Sequence, residues 1–302
     1  MPVTLDFVRK ARESSNVAFV VIGRSAGEDR EQKLKDGSFY LTKDELQLID
    51  KVTAVFEKTV LVLDVGNVID FEEIDEFGDR ISAIVLAWQG GMESGRALCN
   101  VMSGKVNPSG RLTDTIAVDY DLYPSQEFGF KDYNVYREDV FVGYRYFDSF
   151  GKQVSYPFGY GLSYTTFEYV NPSVKVDNGI YSVSIDVKNV GKFAGKEVVQ
   201  LYVSAPNSFQ MNKPEKELKA FTKTKELRPG ETVTATLKLN TTDLASYDEA
   251  SSSWVVDAGN YKFLIGTSSK DIKAALDVDV VSVVEKTNDI LKPQETVNTI
   301  KR

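Results

Sequence analysis

The 302-residue sequence predicts an α/β unit built on a partial parallel sheet, followed by an all-β sandwich. Two patterns carry this reading. In the first third of the chain, short β-branched apolar runs alternate with stretches of helical period. From Ile180 onward the period drops to two, with Tyr181, Val183, Ile185 and Val187 on one strand face and Ser182, Ser184 and Asp186 on the other.

Each element follows from its residues. "NVAFVVIG" (16–23) is short, continuous and β-branched, and predicts a buried strand. "LTKDELQLIDKVTAVFEK" (41–58) opens with Thr42 and Glu45 in capping-box spacing and sets Leu46, Ile49, Val52 and Phe56 on one helical face. "TVLVLDVG" (59–66) is the next strand, "FEEIDEFGD" (71–79) a short acidic helix and "ISAIVLAW" (81–88) a third strand. "ESGRALCNVMSG" (93–104) is a helix that Gly104 stops. Such βαβ repetition implies a parallel sheet. Three strands are few for a sheet with two faces to cover, so part of this unit is expected to be missing. Beyond the aromatic, glycine-rich joint "YPFGYGLSYTTFEY" (156–169), "EVVQLYVSAP", "ETVTATLKL", "GNYKFLIGT" and "AALDVDVV" read as strands, with "RPGE" as a turn. They predict a cysteine-free sandwich of immunoglobulin-like or fibronectin type III-like kind. The domains so read are 1–169, 170–283 and a polar, partly ordered tail, 284–302.

Composition narrows the function. A net charge of −8 argues against broad contact with nucleic acid or anionic membranes. The single cysteine, Cys99, reads as a small buried apolar residue and fits a reducing compartment. The N-terminal "MPVTLDFVRKARESSN" shows no apolar signal core, and "VAFVVI" is too short to span a bilayer, so a cytoplasmic protein is expected. The sequence contains no histidine. That removes Ser-His-Asp and Cys-His catalysis and leaves carboxylates as the agents of acid/base chemistry.

The segment between Gly23 and Thr42 is the leading candidate site. Loops that follow strands of an open α/β sheet sit where ligands bind, and they usually run about 2–6 residues. This one is far longer and carries Glu28, Asp29, Arg30 and Glu31. A solvated surface loop remains the alternative. "GRSAG" lacks both the Gly-Lys-Ser/Thr ending of a P-loop and the third glycine of a dinucleotide fingerprint. "DFEEIDEFGD" lacks the spacing of a calcium loop, so no metal or organic cofactor is expected. Gln89 and Glu93 flank a Gly90-Gly91 turn, and Glu93 reads as a helix-dipole partner. Asn240 lies in a glycosylation sequon that means little in a cytoplasmic chain.

Taken together, "VVIGRSAGEDR", "LVLDVGNVID", "IVLAWQGGMESGRAL", "VMSGKVNPSGRLTDTIA", "VFVGYRYFD" and "YPFGYGLSYTTFEY" resemble the C-terminal portion of glycoside hydrolase family 3, the β-glucosidase and β-xylosidase family. The stretch from "VKNVGKFAGKEVVQLYVSAP" to "VDAGNYKFLIGTSS" is similar to its fibronectin-like domain. The resemblance implies a retaining glycosidase with an aspartate nucleophile on a (β/α)8 barrel and a glutamate acid/base on a loop of the α/β sandwich. The position matching that glutamate is Glu28, in "SAGED". Many members place an Asp-Arg pair a few residues after the glutamate, whereas Asp29-Arg30 follows at once here, which keeps Asp29 and Glu31 as second choices for the acid. Arg30 is then a supporting residue that orients a carboxylate or a sugar hydroxyl, or else faces solvent.

The family's Ser-Asp-Trp nucleophile segment occurs nowhere in the sequence. The expected function is therefore the acid/base portion of a β-glucosidase acting on a small β-glucoside or oligosaccharide, completed by a barrel-domain protein partner and nearly inactive alone. The alternatives are a catalytically inactive remnant, and a carbohydrate- or protein-binding module that uses the sandwich.

Overall fold

A computed structural model of the chain describes residues 3–25, 32–124, 132–206, 212–288, 290 and 297–302. Two compact units emerge, Met1–Val106 with Val118–Tyr120, and Asn107–Ala117 with Asp121–Arg302.

The first unit is α/β. Helix α1 (Leu5–Arg12) leads into β1 (Val17–Gly23), then α2 (Lys43–Thr53), β2 (Lys58–Asp64), α3 (Glu72–Asp75), β3 (Ala83–Leu86) and α4 (Ser94–Met102). The strands form one parallel sheet in the order β1-β2-β3. Its two faces differ. Val20, Ile22, Leu61 and Leu63 alternate onto one face and are almost wholly buried, and the right-handed crossovers that such strands take put α2 and α3 on a single side. On the opposite face of β1, Phe19 and Val21 are 51% and 56% exposed.

Helix α2 starts as predicted. The Thr42 hydroxyl accepts from the Glu45 amide at 3.2 Å, and the Glu45 carboxylate accepts from the Thr42 amide at 2.8 Å. The acidic run yields only the four-residue α3 and a 3-10 turn, Gly78–Arg80, held to the sheet by buried Ile74 and Phe77. Helix α4 corrects one expectation. Cys99 is exposed, not buried, because no residue of α4 is buried. The helix has an apolar side, but nothing among the described residues closes over it.

The second unit is mainly antiparallel. It opens with β4 (Ile116–Ala117), α5 (Tyr144–Ser149) and β5 (Val154–Tyr156), where β4 pairs with β5. The sandwich follows: β6 (Phe167–Asp177), β7 (Ile180–Asn189), β8 (Val198–Ser204), β9 (Glu217–Lys223), β10 (Thr232–Asn240), β11 (Ser246–Asp248), β12 (Ser253–Val256), β13 (Gly259–Gly266), β14 (Ile272–Val280) and β15 (Val283–Lys286). One sheet has the order β10-β7-β6 and the other β14-β13-β8-β9, with β11-β12-β15 as a small third sheet. Val183, Ile185, Val187, Val199, Leu201, Phe263 and Ile265 are fully buried between them, which is the inward half of the predicted alternation. β15 crosses the expected limit at 283: Val284, Glu285 and Lys286, read as the start of a polar tail, pair with β12.

Buried ion pairs brace this unit. Arg111 meets Glu197 at 2.5 Å with both side chains under 10% exposed. Asp148 takes Lys216 at 3.0 Å and Lys270 at 2.8 Å. Further along, the Ile300 amide donates to Arg137 O, and the Arg302 amide to Asn212 Oδ1.

Candidate functional site

Glu28, Asp29, Arg30 and Glu31 lie outside the described residues, so the frame that carries their loop is what the structure supplies. The outgoing limb leaves the carboxyl end of β1 at Gly23 and continues through Arg24 and Ser25. The returning limb runs from Gln32 to the Thr42 cap of α2.

Arg24 ties the two limbs together. Its guanidinium donates to both carboxylate oxygens of Glu45, at 2.5 and 2.7 Å. The same group reaches Ser38 O and Tyr40 O at 3.4 Å on the returning limb. The pair is largely shielded, with the Arg24 and Glu45 side chains 12% and 20% exposed. Glu45 thus has two tasks, capping α2 and anchoring the loop. Burial pushes its carboxyl pKa up, but hydrogen bonds from Arg24 and from the amide and hydroxyl of Thr42 outweigh that and hold it below its ordinary value. Sequence reasoning found the capping role and missed Arg24. The available signal was an arginine directly after the strand, opposite a glutamate in the first turn of the next helix.

The returning limb is pinned to the sheet as well. Phe39 and Leu41 are buried, the Asp70 amide donates to Phe39 O at 2.9 Å, and the Gln32 side chain donates to Val68 O at 2.5 Å. Asp70 sits beneath this limb with its carboxyl raised, chiefly by burial. Glu73 is raised too, by burial and by the neighbouring acids Asp70 and Asp36.

Beside the outgoing limb lies an open cleft of about 450 Å³ at the carboxyl ends of the three strands. Gly23, Arg24, Asp64, Gln89, Gly90 and Ser94 are among the residues lining it. Gln89 donates from its amide to Arg24 O at 3.3 Å. The turn after β3 is sharply constrained. Trp88 has φ +54 and Gly91 φ +69, and a Cβ at Gly90 would sit 2.6 Å from Ser94 Cβ. The Gly90-Gly91 turn read from the sequence is therefore sterically required. Glu93 precedes α4 as expected and pairs with Arg96 at 3.1 Å on the surface. Among the described residues, no group of three or more potential metal ligands clusters together, and no helix is long and apolar enough to cross a membrane.

The described residues therefore present two loop limbs, tied together by Arg24 and Glu45, at the carboxyl edge of a parallel sheet. The chain is similar in sequence and fold to known proteins. Residues 3–164 match the glycosyl hydrolase family 3 C-terminal domain, and residues 197–269 match a fibronectin type III-like domain. A β-glucosidase of Ruminococcus albus is 43% identical across 97% of this chain, which spans 32% of that enzyme. The structure of β-glucosidase 3B from Thermotoga neapolitana in complex with glucose superposes with a TM-score of 0.88 at 39% identity, covering 95% of this chain and 41% of that one. A β-glucosidase from Paenibacillus barengoltzii gives a TM-score of 0.91 at 38% identity, covering 98% and 34%. The chain spans about a third of the length of the curated relatives it matches. With its α/β and fibronectin-like units both matched, and in that order, the chain belongs to glycosyl hydrolase family 3.

Proposed function

We propose that this chain supplies the acid/base carboxylate, Glu28, of a retaining β-glucosidase whose nucleophile resides on a separate barrel chain. The observation that carries the reading is the loop frame. Arg24 and Glu45 fix both limbs of a segment far longer than a strand-to-helix connection needs. That length suits a loop that must reach a sugar held by another domain.

The chemistry follows from the residue type. In a retaining reaction two carboxyl groups stand about 5–5.5 Å apart. The barrel carboxylate attacks the anomeric carbon while protonated Glu28 gives its proton to the departing glycosidic oxygen. Ionised Glu28 then takes a proton from water as the water displaces the carboxylate, which regenerates both groups. Glu28 must hold its proton near neutral pH, and closure over the sugar supplies the desolvation that raises its pKa. Asp29 and Glu31 stay as second choices for this role, with Arg30 beside them as an orienting cation.

The bare apolar surface of the α/β unit supports a partner. Phe19 and Val21 on the open face of β1 are both more than half exposed, and a parallel sheet is normally covered on both faces. We assign that surface to the barrel protein and place the protein in the cytoplasm, which suits its single cysteine. The test is to tag the chain, recover it from its own cells and assay the eluate on an aryl β-glucoside, alongside Glu28→Gln. Co-elution of a barrel protein with activity that depends on Glu28 is expected. A chain that elutes alone and inert overturns the reading, as does hydrolysis by the pure chain.

A further inference from the structure

One aromatic pair in the second unit lies outside the sandwich core. Tyr247 on β11 and Trp254 on β12 stand directly opposite each other. Their rings meet at 5.3 Å with 65° between the planes. Both remain nearly half exposed, at 43% and 46%, and neither belongs to the sandwich core, although Val256 from the same small sheet does and Val283 packs against it. Across β12 from Tyr247, Glu285 on β15 pairs with Trp254 and is exposed. Residues directly opposite one another share a sheet face. Tyr247, Trp254 and Glu285 therefore form one row: phenol, indole, carboxylate.

The backbone beneath this row is fixed. Asp248 accepts from the Ala250 and Ser251 amides and from the Ser251 hydroxyl, which closes the turn between β11 and β12. Those hydrogen bonds hold the Asp248 carboxyl below its ordinary pKa. Thr287, just after β15, donates through both its amide and its hydroxyl to Ser252 O. A rigid platform loses little conformational freedom when something docks on it.

We propose that Tyr247, Trp254 and Glu285 form a carbohydrate-docking platform for a β-linked glucan chain, apart from the loop that carries Glu28. The argument is chemical. A β-glucosyl ring carries all its substituents equatorially, so each face presents only axial C–H bonds. Those polarised hydrogens suit the electron-rich face of an indole. The corner between the two rings seats one sugar ring against Trp254 with the phenol at its edge. Glu285 then accepts hydrogen bonds from the outward hydroxyls. A purely apolar protein partner would leave that carboxylate unpaired in the contact, which disfavours it. The choice of glucan rests on the glucosidase reading above; the platform geometry does not.

The test is retardation of the full chain in native gels containing hydroxyethyl cellulose, with calorimetric titration of cellohexaose. The unaltered chain should be retarded and should bind. Trp254→Ala should weaken binding about tenfold or more while still unfolding cooperatively, and Tyr247→Ala and Glu285→Ala should each weaken it less. Mannan, with an axial hydroxyl on each ring, should bind more weakly than cellohexaose. If the unaltered chain is not retarded, or Trp254→Ala binds as well as it does, the proposal is wrong. Should Trp254→Ala fail to fold, the Tyr247 and Glu285 variants decide the matter by the same criterion. Neither measurement reads hydrolysis, so an inactive loop leaves the platform standing, and a failed platform leaves Glu28 untouched.

Discussion

At the scale of single residues, Arg24 is where the candidate loop is most open to test. Removing its side chain leaves the Glu45 carboxylate largely buried and without its cation. Loss of a hydrogen bond to a charged group costs about 1.5–3 kcal/mol, so Arg24→Ala should lower the unfolding free energy by roughly 2 kcal/mol in urea titrations. The pH dependence has a definite sign. The Glu45 carboxyl sits below its ordinary value of 4.5 in the folded chain. Its contribution is therefore complete above that value and is lost as pH falls through the lower folded one. Unfolding measured across this acid range should show that loss in the unaltered chain and a flatter profile in Arg24→Ala. Gly90 makes a second test. Gly90→Ala brings its Cβ onto Ser94, so the turn after β3 must shift, and a loss of about 1–3 kcal/mol is expected.

At the scale of elements, coverage decides what each strand and helix does. β1 has one buried and one bare face, and α4 has no fully buried residue. The double variant Phe19→Lys with Val21→Thr should change the unfolding free energy by no more than about 0.5 kcal/mol while reducing recovery of a barrel protein with the tagged chain. A large destabilisation would mean that the face is covered within the chain itself. By contrast, Phe263, fully buried and packed edge-on against Tyr181 at 5.5 Å, should cost about 3–5 kcal/mol when cut to alanine. The same contrast explains what was legible in the sequence. β1, β2, β7 and β13 were readable because burial imposes a pattern on short β-branched runs. β6 was not, because Asn171-Pro172 reads as a turn. In the fold Asn171 takes φ +56 and the register shifts between Val170 and Ser173, so the strand carries on past the irregularity. β9 lacks clean alternation, with its first four residues all half-buried. Cys99 was misjudged for a related reason. An apolar helix side looks the same in sequence whether its partner lies in this chain or in another.

At the scale of the whole molecule, the two units and their order make the chain a family 3 protein. A general acid by itself supplies about 10²–10⁴-fold and does not replace a nucleophile and a sugar site. Under the proposed function, Glu28 joined to a barrel chain becomes half of a retaining pair. Its signature depends on the leaving group. Departure of a sugar hydroxyl from cellobiose needs a proton, whereas departure of dinitrophenolate does not. The most direct measurement is therefore kcat/KM of the assembled enzyme, with Glu28 and with Glu28→Gln, on cellobiose and on 2,4-dinitrophenyl β-glucoside. With Glu28 as the acid, the variant falls about 10²–10⁴-fold on cellobiose and changes little on the dinitrophenyl substrate. Equal losses on both substrates, or none on either, would contradict that role.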